Sequence, residues 1–373
     1  MEKQVQFQSI LGIMVCQIKQ TLFFEKGFYR FLQKLGHNHH ILVYVFYPNT
    51  VDWDRKQVKG FYYNFSINKW DTGWFPLPDY IYDRCFYTNS KQFNYYKSYI
   101  AQIKKDKNIT FLGNGLSGKW EVYQILSNHP SFRPFLPRTE IYQNFSQLLS
   151  WLNQYPVVLK PIGGSHGIGV IKISKQNKLY EIIGRDAQNN HIKNSFSSAK
   201  SLSIWIKHFV SKRKYLIQQY LDLTTSNSEP YDVRILVQKN MRGSWELTGM
   251  AARIGSKESI TSNLHGGGTV SQADQLLRIE HGEAKANEIL QKLDRLAQTI
   301  PLQLEKHHGD LFELGLDVGI DKQGNIWIIE VNSKPGRTVF TLLDNPALIY
   351  KSKIQPIMYT LFLSKKKVGG KVI

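Results

Sequence analysis

The stretch that most restricts the fold is "LGLDVGIDKQGNIWIIEVNSKPGR", Leu314 to Arg337, two β-forming runs flanking the turn sequence "DKQG". It predicts an antiparallel hairpin with its turn at Asp321 to Gly324, which sets Asp317 across from Glu330. Side chains alternate along a strand, so Glu330 and Asn332 share a face while Val331 points away. Pro335 and Gly336 then stop the strand and leave this pair at the rim of a sheet. Asp317, Glu330 and Asn332 form an oxygen-only set suited to magnesium. Asp321 is the rival ligand, although a carboxylate in "DKQG" serves more naturally as a turn former.

A chain of 373 residues is too long for one ordinary core and is expected to form two or three packed lobes. Strand, helix and strand patterns in "ILGIMV", "GFYRFLQKLGHN" and "HILVYVFY" open a small α/β lobe. His37, His39 and His40 lie between that helix and strand and read as a turn rather than a metal site. The proline-rich "SNHPSFRPFLPRTE" marks a connection between lobes. A second unit follows, with a helix over Phe145 to Leu152, strands "VVLKPI" and "GVIKIS", helix "SLSIWIKHFV" and strand "YLIQQYL". Strands and an amphipathic helix around Ala284 to Ile300 fill the remainder, and the residues after Leu363 form a basic tail.

The net charge of +19 implies an anionic partner. Its lysines and arginines are scattered, and no helix-turn-helix, zinc-ligand or RNP pattern accompanies them, so nucleic acid is not the expected partner. Cys16 and Cys85 lie far apart in sequence and support neither a disulfide framework nor a cysteine metal cluster; they are expected to be structural, in a reducing interior. "ILGIMVC" lacks the basic lead and cleavage site of a secretory signal and reads as a first buried strand. No apolar run approaches a membrane span, which points to a soluble, cytoplasmic protein.

Two glycine-rich stretches compete for phosphate. "GNGLSGKW" matches a P-loop only formally, because Trp120 stands where Ser or Thr must hold magnesium, and no acidic residue follows at dinucleotide-fold spacing. "VVLKPIGGSHGIGVIKI" instead places Lys160 at a strand end before a glycine loop that returns into a strand, a hairpin lid. Gly163, Gly164, Gly167 and Gly169 let backbone N–H groups approach phosphate oxygens, with Ser165 among them. "LIQQYLDL" reads as a strand whose end, Gln219, Tyr220 and Leu221, offers backbone to adenine and Asp222 to the ribose. Neighbouring strands carry Arg234 and Arg253, and "SNLHGGGTV" supplies a polar glycine loop that includes Asn263.

In this order, these residues resemble the ATP-grasp superfamily of carboxylate-amine ligases, over about Lys119 to Arg337. "SNLHGGG" and "EVNSKPG" look like the ligases that add glutamate to a protein terminus. "WFPLPDYIYDRCFY", "GNGLSGKWEVYQIL" and "LPRTE" are similar to the YheC/YheD family, associated with the endospore coat, which extends the resemblance over nearly the whole chain. The resemblance implies an α/β (α+β) ATP-grasp fold. Its divisions are an N-terminal pre-ATP-grasp lobe over 1–112, an ATP-grasp domain over 113–363 (lid about 140–222, C-terminal subdomain about 223–363) and a basic tail over 364–373.

It further implies that Lys119 and Lys160 contact ATP, that Gln219 and Leu221 meet the adenine edge, that Arg234 and Arg253 act on the phosphoryl or acyl phosphate group, and that Asp317, Glu330 and Asn332 hold magnesium. The expected activity is ATP- and magnesium-dependent joining of a carboxylate to an amine through an acyl phosphate, with spore coat or envelope components as partners and a coat-associated location. Two other readings stand beside it: an ATP-grasp-fold structural coat protein without turnover, and a basic nucleic-acid binder. The hinge in this family often starts with Glu where Gln218 stands here.

Overall fold

The computed structural model describes residues 7–18, 21–164, 167–257, 262 and 268–369, which form three sheets. The first is built from β1 (Ser9–Met14), α1 (Lys26–Asn38), β2 (Ile41–Asp52), β3 (Gln57–Asn64), β4 (Lys69–Pro76), β5 (Tyr80–Asp83), α2 (Ser90–Ile103) and β6 (Thr110–Phe111). Its order is β4-β3-β2-β1-β5-β6, parallel from β2 through β6, with the β3–β4 hairpin antiparallel at the edge. Parallel neighbours need crossovers, and α1 supplies the one between β1 and β2. Leu32 and Leu35 of α1 enter the core under Ile13, Val45 and Ile81. His39 and His40 form the turn after α1, with His40 in the left-handed region at φ 54°.

α3 (Lys119–Ser127) leads out of this lobe into the second sheet. That sheet holds β7 (Thr139–Ile141), α4 (Phe145–Leu152), β8 (Val157–Pro161), β9 (Ile171–Gln176), β10 (Leu179–Arg185), β11 (His191–Phe196), α5 (Ala199–Val210) and β12 (Tyr215–Gln219). It is antiparallel in the order β11-β10-β9-β8-β12-β7, and α4 and α5 bury Leu148, Trp151, Leu202 and Ile206 against it. Both helices start with a capping side chain, Asn144 accepting from the Gln147 N–H and Ser198 from the Ser201 N–H.

The third sheet comprises β13 (Tyr231–Lys239), β14 (Trp245–Ile254), β15 (Thr269–Gln272), α6 (Ala273–His281), α7 (Glu283–His308), β16 (Glu313–Ile320) and β17 (Ile326–Asn332). Its order is β15-β14-β13-β16-β17, antiparallel throughout. Val233, Ile235, Leu316 and Val318 face α7 in one core. α8 (Thr338–Thr341) and α9 (Pro346–Gly369) close the chain. Phe340 of α8 covers part of the opposite face, over Leu236 and Ala251, and the rest of that face is open.

Two helices run further than their sequence pattern suggests. α7 continues through Pro301 to His308, because Ile300, Pro301 and Leu304 keep its buried stripe intact past the residue that lacks an N–H. α9 reaches Gly369 and takes in the first basic residues of the expected tail, with Lys367 donating to the Asn108 carbonyl at 3.3 Å. Ile357 and Tyr359 of α9 lie in the core of the first lobe, so α9 packs against that lobe.

Candidate functional site

Between the second and third sheets lies a cavity of about 670 Å³, within the range of small-ligand sites. Its floor is the open face of the third sheet. On β13, Tyr231, Val233 and Ile235 point into the core, so Asp232 and Arg234 point into the cavity. On β16 the same alternation buries Leu314, Leu316 and Val318 and presents Asp317. The register pairs Asp317 with Arg234 on one side and with Glu330 on the other, and pairs Asp232 with Arg253.

β17 solves a conflict of parity. Ile326 and Ile328 are both buried in the core, and strict alternation would send Glu330 in after them. A β-bulge intervenes: Asp317 pairs with Glu330 but Val318 with Ile328, which leaves Ile329 as the extra residue. Past the bulge Val331 returns to the core, and Glu330 and Asn332 line the cavity. The hairpin turn also follows its sequence. Asp321 accepts from the N–H groups of Gln323 and Asn325, from the Asn325 carboxamide and from the Trp327 indole, all within 3.0 Å. Its oxygens are committed to the turn.

Charges on the floor are interlocked. Arg253 reaches Asp232 through two bonds of 2.7 and 2.5 Å, and its Nη2 lies 3.1 Å from Asp317 Oδ1. Burial disfavours the Arg253 charge, but Asp317 and Asp232 outweigh it and raise its pKa. Ser262 donates to Asp232 at 2.6 Å. Arg234 donates from Nη2 to Asp317 Oδ2 at 3.2 Å; its Nε sits 2.6 Å from Oδ1 but outside hydrogen-bond geometry, so both buried atoms lack a hydrogen bond. Gly315 makes room for this guanidinium, since a Cβ there would lie 2.7 Å from Arg234 Nη1.

The other walls carry lysines. Lys119 opens α3 and lies 3.4 Å from Glu330. Lys160 projects from β8, where Val157, Leu159 and Pro161 take the opposite, buried face. Its Nζ donates to Gln218 Oε1 at 3.0 Å, and Gln218 in turn donates to Thr139 Oγ1 at 2.7 Å. Among the described residues Lys160 has no carboxylate partner; burial first and then the Lys119 charge lower its pKa to about 8, against a smaller opposing pull from Glu330. From the β8–β9 connection, Gly164, Gly167 and Ile168 line the cavity, and Gly164, Gly167 and Gly169 stand at φ 130°, 72° and 73°. Gly163 has open space around it.

At the far end of β12, the Gln219 and Tyr220 N–H groups bond the carbonyls of Arg138 and Pro156. Leu221 follows on the cavity wall, and its N–H has no partner among the described residues. Asp222 lies just outside the wall, 3.1 Å from Lys322. Ser165 and Asn263 fall outside the described residues.

The tertiary structure adds groups that no sequence pattern indicated: Phe86 and Lys334 on the wall toward the first lobe, with Asp232, Gln218 and Thr139 holding the cations. Alternation in "YDVRILV" could have paired Asp232 with Arg234. Lys334 donates to Asp83 at 2.8 Å and to the Cys85 carbonyl at 3.1 Å, across about 250 residues of chain, where sequence offers no signal. Beneath it, Arg84 bridges the partly exposed Glu25 and the buried Glu313, and Glu313 also pairs with the buried Arg337.

The residues fit a hard cation and a polyphosphate. Among the described residues no three His, Cys, Asp or Glu side chains converge as a metal cluster. Two carboxylates and one carboxamide, Asp317, Glu330 and Asn332, line the same cavity, and Asp317 Oδ1 lacks a hydrogen bond. A family profile described as YheC/D like ATP-grasp matches residues 108–363. The chain belongs to this YheC/D-like ATP-grasp family.

Its relatives include the endospore coat-associated protein YheC of Bacillus subtilis strain 168, 34% identical over 297 residues that cover 78% of this chain and 80% of YheC. The endospore coat-associated protein YheD of the same strain is 28% identical over 327 residues, 87% of this chain and 71% of YheD. The fold is shared with D-cycloserine synthetase DcsG at a TM-score of 0.56 and 12% identity, covering 94% of this chain and 99% of the synthetase. The YheC/D-like chain therefore has an α/β ATP-grasp ligase fold. None of the described helices is long and apolar enough to cross a membrane.

Proposed function

We propose that this YheC/D-like protein binds ATP with magnesium and joins a carboxylate to an amine through an acyl phosphate, in the service of the spore coat or envelope. The observation that carries this is the convergence of Asp317, Glu330 and Asn332 with Arg234 and Arg253 on one sheet face, opposite Lys119 and Lys160. Glu330 and Asn332, with Asp317 behind them, would hold magnesium, which supplies charge neutralisation for the transferring phosphoryl group. Lys160, with no carboxylate partner among the described residues, offers its ammonium to phosphate below its pKa of about 8, and Gln219 to Leu221 give the base a backbone edge. The lid glycines bring N–H groups over the phosphates and exclude water.

A substrate carboxylate oxygen then attacks the terminal phosphorus and ADP leaves. The amine attacks the acyl carbon, phosphate departs, and the amine proton passes to solvent or a bound base. Arg253, fixed by Asp232, faces the negative charge that develops on the acyl oxygen. Coat association is extended from the names of the relatives.

Calorimetry with ADP, with and without magnesium, tests the binding half. Wild type is expected to bind more tightly with magnesium, and Glu330→Ala with Asn332→Ala to lose that increment while still folded. An unchanged magnesium increment in the folded variant would refute the metal assignment. Turnover of ATP over pooled carboxylates and amines tests the chemical half.

A further inference from the structure

The two cysteines, 69 positions apart in sequence, are neighbours in space. β1 and β5 run parallel in a register that pairs Met14 with Asp83, and the Arg84 N–H still donates to the Met14 carbonyl at 2.8 Å beyond it. The strands end there, and two residues beyond each end stand Cys16 and Cys85; their side chains are within hydrogen-bond reach of each other, and neighbouring parallel strands such as those they leave are about 4.8 Å apart. That spacing lies within the Cα separation a disulfide requires, about 4.4 to 6.8 Å. Both are free and buried in the core of the first lobe, and Cys85 senses Cys16 directly: burial and that neighbouring thiol raise its pKa.

Cys85 is tied to the cavity wall through its neighbours. Its carbonyl accepts from Lys334, its N–H donates to Asp83 Oδ1, and that same oxygen accepts from Lys334 at 2.8 Å. Phe86, the next residue, lines the cavity with Lys334.

We propose that Cys16 and Cys85 form a reversible intramolecular disulfide that tightens the Asp83–Phe86 wall of the cavity and, through Lys334, the Ser333–Gly336 loop. The oxidant is hydrogen peroxide. Each sulfur loses its hydrogen, one S–S bond forms, the peroxide O–O bond breaks and two waters leave; a dithiol reverses the step at its own expense. Small size is required because both thiols are about 97% covered or more.

The full chain, treated with hydrogen peroxide, quenched, denatured and alkylated under non-reducing conditions, should show no free thiol and a mass lower by two hydrogens. Dithiothreitol should restore both thiols. Cys16→Ala and Cys85→Ala should form no intramolecular bond, and either variant that folds suffices as the control. Hydrogen exchange of amides 84–88 and 333–336 should slow several-fold in oxidised wild type and not in the treated variant. Two alkylatable thiols after treatment, or a bond only between chains, would overturn the pairing. A disulfide without slowed exchange at 333–336 would overturn its link to the cavity. Neither readout needs nucleotide, so the result is separate from the proposed ligase activity.

Discussion

Arg234 and Asp317 stand directly opposite each other on β13 and β16, their Nε and Oδ1 atoms 2.6 Å apart yet out of line for a hydrogen bond. Oδ1 is ion-paired with Arg234 and Arg253 yet accepts no hydrogen bond, so a buried acceptor is left that the proposed magnesium would take up. Asp321 has no such capacity, since four donors occupy it.

Asp317→Asn and Asp321→Asn should therefore separate cleanly. Asp321→Asn is expected to lower stability by about 1–2 kcal/mol through the turn, leaving the magnesium dependence of ADP binding intact. Asp317→Asn should remove that dependence. Calorimetry and urea unfolding of both variants check this, and the opposite pattern would show that the hairpin is misassigned as the metal strand pair.

Lys160 should make nucleotide binding pH-dependent just above neutrality. Its pKa of about 8 in the free protein means that it loses its charge as pH rises through that value, so ADP affinity should fall between about pH 7.5 and 9.5. Lys160→Met should bind more weakly and flatten the profile. The stability sign runs the other way. The unfolded lysine stays protonated to about pH 10.4, so between about pH 8 and 10.4 the unfolded state binds more protons and stability rises with pH. ADP titrations across this range test the first effect and urea unfolding the second.

In the lid, Gly164→Ala and Gly167→Ala should each impair the loop by about 1–2 kcal/mol, because both hold a left-handed backbone that a Cβ disfavours. Gly163→Ala should be silent, having open space and no positive φ. ATP turnover and ADP affinity measured for the three variants decide it: equal effects at 163 and 164 would mean that backbone handedness is not what the loop requires.

Arg84→Ala should be among the more damaging single changes, about 3 kcal/mol, since it removes the buried cation shared by Glu25 and Glu313 and leaves Glu313 with Arg337 as its one cationic partner among the described residues. Chemical denaturation measures it. A loss below about 1 kcal/mol would place this network at the level of surface ion pairs.

Much of the site was legible because it rests on local rules. Turn chemistry put Asp321 in the hairpin bend and so brought Asp317 and Glu330 to the same end of the hairpin, while their direct pairing needs the bulge. The helix at Phe145–Leu152 came from its sequence pattern. Other features belong to the packed chain. The bulge at Ile329 is invisible to alternation, which counted from Ile326 places Ile328 and Glu330 on one face; only the competition between a closed core and a polar floor inserts the extra residue. Cys16 and Cys85, Lys334 and Asp83, and Arg84 and Glu313 meet through strand order and lobe docking, between segments that exert no influence on one another along the chain. Residue type and short-range spacing thus specify which strands and turns form and which chemistry each carries, because backbone conformation responds to near neighbours. Which of those groups share a cavity is decided when buried surfaces exclude water, a property of the whole fold.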